Sequence, residues 1–195
     1  MPNTIKSVEK IAAQYEHDFA HSQHVAKLAV QLFDASEWLH GLGDDARDLL
    51  FYAGLLHDIG WSGGQQAHHK RAYDLIMHDP PAGLSPREVR IIANVARYHR
   101  KGLPKLSHDA FSALKPQDRE LVRRLASLLR VADGLDITHR NAVSIVACTE
   151  SERGIVITVK SSFNLSIELA RGREKSDLFE ETFGKTVEFQ QEDSH

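Results

Sequence analysis

Cysteine is almost missing from this 195-residue chain, which has only Cys148. One thiol cannot close an internal disulfide and supplies neither a Cys-x-x-Cys pair nor a thiolate zinc site. A metal would therefore have to be held by histidine and carboxylate, and a reducing, cytoplasmic setting is expected. An excess of positive charge is missing as well. The 24 Lys and Arg stand against 27 Asp and Glu, for a net charge of −3, so no global field draws the chain onto DNA, RNA or an anionic membrane. Long apolar runs are absent too. The N-terminus MPNTIKSVEK has no signal core, and the stretch Leu49 to Leu56 falls far short of the ~20 residues that span a bilayer. There is no P-loop and no G-x-G-x-x-G. Gly60-Trp61-Ser62-Gly63-Gly64 fits the G-x-S-x-G string, but a nucleophile elbow needs a strand before it and here a helical pattern precedes it.

What the chain has in excess is histidine: 12 residues, as many as its glycines. Ten of the 12 lie at or before His108, so their role belongs to the N-terminal part. That part reads as helix after helix. Ile5, Val8, Ile11, Ala12 and Tyr15 share one helical face, and Val25, Leu28, Ala29, Leu32 and Phe33 share a second, ended by Gly41 and Gly43. Asp44 or Asp45 caps a third helix, carrying Leu49, Leu50, Ala53 and Leu56 and stopping at the Gly60–Gly64 loop. A fourth runs from about Gln66 to His78. The fifth starts in a capping box, with Ser85 at the N-cap, Pro86 at N1 and Glu88 at N3, and extends to about Arg97. Pro116 opens the last long helix, whose stripe of Leu121, Leu125, Leu128, Leu129 and Ala132 reaches Gly134.

Near Asn141 the period changes. Val143 to Val146, Ile155 to Val159 and Phe163 to Leu169 predict three strands in a meander, followed by a helix from Arg173 to Phe183 and a short strand from Thr186 to Phe189. The expected fold class is mainly α, a helical bundle over residues 1–140. A small α+β appendage of antiparallel strands and one helix follows over 141–190, then a frayed tail over 191–195.

The chemistry concentrates at His57-Asp58, where the third helix unwinds and two consecutive side chains can turn toward one ion. Imidazole and carboxylate together suit Mn, Fe, Co, Ni or Zn. His21 shares a face with Val25, Leu28 and Leu32 and so points inward, where a polar ring needs a partner. Asp133 follows Leu129 and Ala132 at the end of the last long helix, where a carboxylate is costly unless paired or on a metal. Arg97, Arg100 and Lys101 form a cationic cluster beside His99, and Arg97 and Lys101 are the candidates for binding non-scissile phosphates.

The order His21-Ser22-x-x-Val25-Ala26, His57-Asp58-Ile59-Gly60, Ala132-Asp133 resembles the HD superfamily of metal-dependent phosphohydrolases. Over nearly the whole chain there is a further resemblance to the C-terminal HD-like region of the exopolyphosphatase and guanosine pentaphosphate phosphatase family. It rests on His68-His69-Lys70, Val95 to Lys101, Leu129 to Asp136, and Leu178-Phe179 to Phe183-Gly184. The resemblance implies His21, His57, Asp58 and Asp133 as ligands of one ion. Asp58 would bridge to a second ion held by His68 and His99, with His69 the alternative to His68. The chain starts directly with the helical region, so the actin-like chemistry of that family is not carried over, and catalysis is expected from the HD site itself, with Asp58 central. The departure at Tyr98-His99-Arg100-Lys101-Gly102-Leu103-Pro104 from a His-His-Glu with Gly-Tyr-Pro signature disfavours the cyclic-dinucleotide branch. The implied function is hydrolysis of phosphate esters of a nucleotide or other small phosphorylated molecule by metal-bound hydroxide. The alternatives are a non-catalytic module binding polyphosphate or an alarmone, and a structural metal. Oligomeric state stays open, a homodimer included.

Overall fold

The computed structural model describes residues 2–15, 18–64 and 66–193; His17 and the last two residues of the expected tail, Ser194 and His195, lie outside them. Helix α1 (Pro2–Tyr15) buries Val8, Ile11 and Ala12. Helix α2 (Phe19–Ala35) starts where the Asp18 carboxylate accepts from the His21 amide at 3.1 Å, an N-cap that satisfies an otherwise orphan donor. It ends earlier than the glycines suggest. Ser36 folds its backbone N–H and its hydroxyl back onto Leu32 O, and a single further turn, α3 (Glu37–His40), closes at left-handed Gly41. Helix α4 (Asp44–Leu56) is capped by Gly43, with Asp44 and Asp45 in its first turn, where they face the positive end of the dipole rather than bond the amides. The Gly60–Gly64 segment is not open loop, because a 3-10 turn occupies Ile59–Gly63. Then come α5 (His68–His78), α6 (Pro86–Arg97) with both halves of its capping box formed, a short α7 (Asp109–Ser112), and α8 (Pro116–Leu135) with its proline at N1 or N2.

Helix α2 packs on α4 and α8, and α6 on α4, α5 and α8. The α2–α4 approach is close, since a Cβ added at Gly54 would lie 2.7 Å from Ala26 Cα. A continuous apolar core runs from Val8 through Leu28, Leu56, Ile92 and Leu129 to Phe189. Among the described residues no helix is long and apolar enough to cross a membrane.

The C-terminal part is a small α+β segment, as expected, with differences in detail. Strands β1 (Ser144–Ser151) and β2 (Gly154–Ser161) are antiparallel neighbours, and β3 (Val187–Asp193) lies on the other side of β2 and parallel to it. The expected strand from Phe163 to Leu169 is instead the start of α9 (Ser166–Glu174), and the expected single helix is α9 and α10 (Asp177–Phe183), broken at Lys175-Ser176. Leu165, Glu168 and Gly172 are the buried positions, while Phe163 and Ile167 are 55% and 61% exposed. The apolar alternation is therefore not what the fold buries. A glutamate at a core position hides the helical period, and its Oε1 is held there by Thr138 Oγ1 at 2.5 Å and Arg140 at 2.9 Å. Asn164 starts the helix by accepting from the Ser166 amide, the local turn that competes with strand. A parallel β3 follows from this helical crossover, since parallel neighbours need a long connection. Gln191 to Asp193 belong to β3 rather than to a frayed end.

The 3-10 turn meets α5 through Gly60, where an added Cβ would lie 2.0 Å from His68 O and 2.7 Å from Ala72 N. Both are backbone atoms that cannot swing aside. Gly60→Ala is expected to destabilise the fold by about 2–3 kcal/mol. Gly102→Ala, which meets nothing within 4 Å, should stay within about 0.5 kcal/mol. Urea denaturation midpoints at constant m-value provide the comparison, and equal midpoints would contradict the packing argument.

Candidate metal centre

Helix α4 delivers His57 and Asp58 as it unwinds. His57 keeps helical dihedrals, while Asp58 at φ −107° and ψ 5° already belongs to the tighter turn that follows, so both side chains reach the same side. His57 Nδ1–H donates to Gly54 O at 2.7 Å. That fixes the tautomer and leaves the Nε2 lone pair in the interior, and this buried Nε2 has no hydrogen-bond partner. A buried acceptor in that state is expensive unless a cation uses it.

His21, on the inner face of α2, donates from Nδ1 to Asp136 Oδ2 at 2.8 Å, and Asp136 in turn accepts from the Asn141 amide. This is the carboxylate–histidine support by which a metal ligand is oriented and made more basic. The His21 and His57 Nε2 atoms both lie 3.7 Å from Asp133 Oδ1, so α2, α4 and α8 converge on a first group, His21, His57 and Asp133. Asp58 faces both ways. Its Oδ2 lies 3.6 Å from His57 Nε2, and its Oδ1 lies 3.3 Å from His68 Nε2 and 3.5 Å from His99 Nε2.

Asp58, His68 and His99 form a second group of donors. His99, just past the end of α6, donates from Nδ1 to Ala96 O at 2.6 Å, so its Nε2 is also a lone pair, and it stands 3.2 Å from His68 Nε2. Two imidazole nitrogens and a carboxylate oxygen, converging at that distance, suit a shared cation. The donor set, nitrogen and oxygen without sulfur, fits a divalent transition metal.

The electrostatics agree with the geometry. Burial works against a charge on His21, yet the hydrogen bonds to Asp133 and Asp136 outweigh it and carry the ring up to about 10. Burial likewise opposes protonation of His57, but Asp58 and Asp133 raise it. Burial and the neighbouring His57 hold His99 well below the ordinary histidine value, in the neutral form that ligates. Asp58 and Asp133 are driven far down despite their burial. His57 and His68 act on Asp58, while Lys175, His21 and His57 act on Asp133.

Several contributors carry no motif. Lys175, at the break between α9 and α10, donates from Nζ to Asp133 Oδ2 at 2.8 Å and to His99 O at 3.1 Å. Trp61 stacks on His68 with centroids 4.8 Å apart, and His139 stacks on His21 at 3.9 Å, itself held by Asp18 at 2.7 Å. These rings, together with Arg100, Arg171 and Lys175, line a cavity of about 250 Å³ over the two groups. Asp136 could have been read from its place one turn beyond Asp133; Lys175 had no sequence signal.

The six residues His21, His57, Asp58, Asp133, His68 and His99 are brought together. His69 is not with them, and neither are Arg97 and Lys101. These three line a neighbouring cavity, and of the cationic cluster only Arg100 reaches the metal-side cleft. His24 is in neither donor group.

Asp136→Asn removes the negative charge behind His21 while preserving shape. Divalent-metal affinity, measured by competition with a chromophoric chelator, is expected to fall by about 10–100-fold, with circular dichroism checking that the variant is folded at the temperature of measurement. Affinity within twofold of the parent would rule out this support for the His21 ring.

The family model described as Ppx/GppA phosphatase, domain III, matches residues 5–182. The guanosine-5'-triphosphate,3'-diphosphate pyrophosphatase of Pseudoalteromonas atlantica (strain T6c / ATCC BAA-1087) is 24% identical over 149 residues, covering 76% of this chain and 29% of that protein. The chain thus spans less than a third of that relative's length. With the match extending from α1 into α10, the chain belongs to the domain III family of the Ppx/GppA phosphatases.

Proposed function

We propose that the chain is an HD-type, metal-dependent phosphohydrolase. Its substrates are phosphate esters of a nucleotide or another small phosphorylated molecule, and its cofactor is Mn, Fe, Co, Ni or Zn as one or two ions. The observation that carries this reading is the pair of facing donor groups bridged by Asp58, with the buried His57 Nε2 and Asp58 Oδ1 lacking hydrogen-bond partners of their own. His21, His57 and Asp133 would hold one ion and His68 and His99 the other, with one Asp58 oxygen turned to each. A metal bound there polarises a phosphoryl oxygen and lowers the pKa of water.

The chain's own contribution is placement and charge. Arg100, Arg171 and Lys175 line the cleft above the donors, and cations so arranged attract a phosphate and offset the charge that builds on its oxygens. Lys175 is fixed by two hydrogen bonds at the floor of the cleft, so it needs no reorganisation to act. Asp136, Gly54 O and Ala96 O accept the Nδ1 protons of His21, His57 and His99 and hold each ring aimed inward. The name of the relative, a pyrophosphatase of guanosine-5'-triphosphate,3'-diphosphate, supports a nucleotide bearing several phosphates. The buried lone thiol and the absence of a spanning helix among the described residues are consistent with the cytoplasmic setting we propose.

Purified chain loaded in turn with Mn, Fe, Co, Ni and Zn is expected to hydrolyse members of a panel of nucleotides and p-nitrophenyl phosphate esters. Asp58→Ala should lower kcat/KM by at least ~100-fold, with folding checked by circular dichroism. No turnover with any metal, or full activity in the Asp58 variant, would refute the proposal. A separate test addresses Lys175→Met, which should raise KM for phosphate esters by ~10-fold.

A further inference from the structure

The segments that present the metal-side histidines have a second face. From His68-His69-Lys70 at the start of α5, His68 lines the cleft over the donors while His69 and Lys70 line another cavity, of about 360 Å³. Past the end of α6, His99 and Arg100 line the cleft, and Tyr98 and Lys101 line the second cavity. The wall between the two spaces is thus a single layer of side chains carried on the same backbone.

The second cavity is lined by the cations Lys70, Arg97 and Lys101 and the imidazoles of His69 and His108, and among the described residues no carboxylate lines it. This occurs in a chain of net charge −3. Unlike Arg47, Arg87, Arg123 and Arg130, none of the three cations forms an ion pair among the described residues. An anion from outside would offset the like charges gathered there. The Arg97 guanidinium is braced between aromatic faces, 5.5 Å from the Tyr73 centroid and 5.9 Å from that of Tyr98, which fixes its planar fork of donors.

His69 is only 8% exposed and its Nδ1 has no hydrogen-bond partner, so the cavity also holds an unused buried polar group. Helix α5 has no side-chain N-cap, and its first turn opens onto this space through Ala67 and His69, where the helix dipole favours negative charge. Ala67 at φ 59° and Lys101 at φ 61° both hold left-handed backbone on the rim, a conformation that non-glycine residues adopt at a cost and that clusters where ligands are bound.

We propose that this cavity is a phosphate-binding site separate from the metal centre, taking one phosphate or pyrophosphate group. Arg97 and Lys101 supply the principal charges, and Lys70, His69 and the α5 amides complete the contacts. Arg97 and Lys101 thereby hold a phosphate other than the one at the metal. The group can come from the remote phosphate of a multiply phosphorylated substrate or from a free anion acting across the shared wall. The site is defined without reference to catalysis, so it goes beyond the hydrolase reading.

The test begins with chain stripped of metal by a chelator and titrated with inorganic phosphate and with pyrophosphate, following the backbone amide signals of Ala67 to Lys70 and Lys101-Gly102 by NMR. Saturable shifts that weaken with added salt are expected. In Arg97→Gln/Lys101→Gln the affinity should fall by ~10-fold or more, with Lys70→Gln, an exposed change, giving a smaller loss. Asp58→Ala should bind as the parent does.

The proposal is overturned if neither anion shifts these amides, or if Arg100→Gln loses binding as fully as the double variant does. The source is then read on metal-loaded chain. A KM raised for a nucleotide polyphosphate and unchanged for a monophosphate assigns the remote phosphate, whereas unchanged KM for both with anion binding lost in the double variant assigns the free anion. Because binding is read without turnover, an inactive chain leaves this proposal standing. Lost anion binding leaves the hydrolase reading standing.

Discussion

The structure is organised around buried nitrogen and oxygen atoms that point at one another. Nε2 of His21, His57, His68 and His99 and the oxygens of Asp58 and Asp133 are nearly all buried and lie 3.2–3.7 Å from their neighbours. The Asp58 and Asp133 carboxylates oppose each other's charge in this low-dielectric interior, and side chains free to relax would rotate apart. They are prevented from doing so on their far sides. Gly54 O, Ala96 O and Asp136 take the Nδ1 protons of three rings, and Trp61 and His139 lie flat against His68 and His21. The backbone is adapted to the same end. The Gly54 contact lets α2 and α4 approach until His21 and His57 share a carboxylate, and Gly60 lets the first turn of α5 rest on the 3-10 turn that follows Asp58.

The helices were readable because their signals are local. The Ser85–Glu88 capping box, the proline opening α8 and the three-to-four spacing of the core leucines each act within one or two turns. The errors came where a local signal lost to packing. Phe163, Leu165, Ile167 and Leu169 alternate like a strand, but the position that the fold buries is Glu168, made tolerable by Thr138 and Arg140 from across the chain. Nothing within ten residues of Glu168 announces those partners. Similarly, Ser36 ends α2 by bonding back onto its own helix, a break that the glycines further on conceal.

The candidate site divides the same way. His21, His57 and Asp133 were visible because each is polar at a position where helical spacing demands an apolar residue or where a helix ends. Arg97 and Lys101 are close to His99 in sequence, yet they line the neighbouring cavity rather than the cleft over the donors. A helix end fans consecutive side chains around the axis, so neighbours of a ligand face elsewhere unless they sit three or four residues away. Lys175 obeys no rule of this kind, since it comes from a bend between two short helices and is one charge among the several of Arg171 to Asp177.

The C-terminal segment is joined to the site through more than Lys175. Arg130, buried in α8, donates to Tyr98 O and Lys101 O on one side and makes a forked contact with Asp177 at the start of α10 on the other. The stretch that carries His99 is therefore held in place from residues that are synthesised some eighty positions later. His21 and Asp136 are likewise 115 residues apart. Contacts that long are closed only after most of the chain has been made, so the growing polypeptide carries its donors apart, and their convergence is among the last events of its folding.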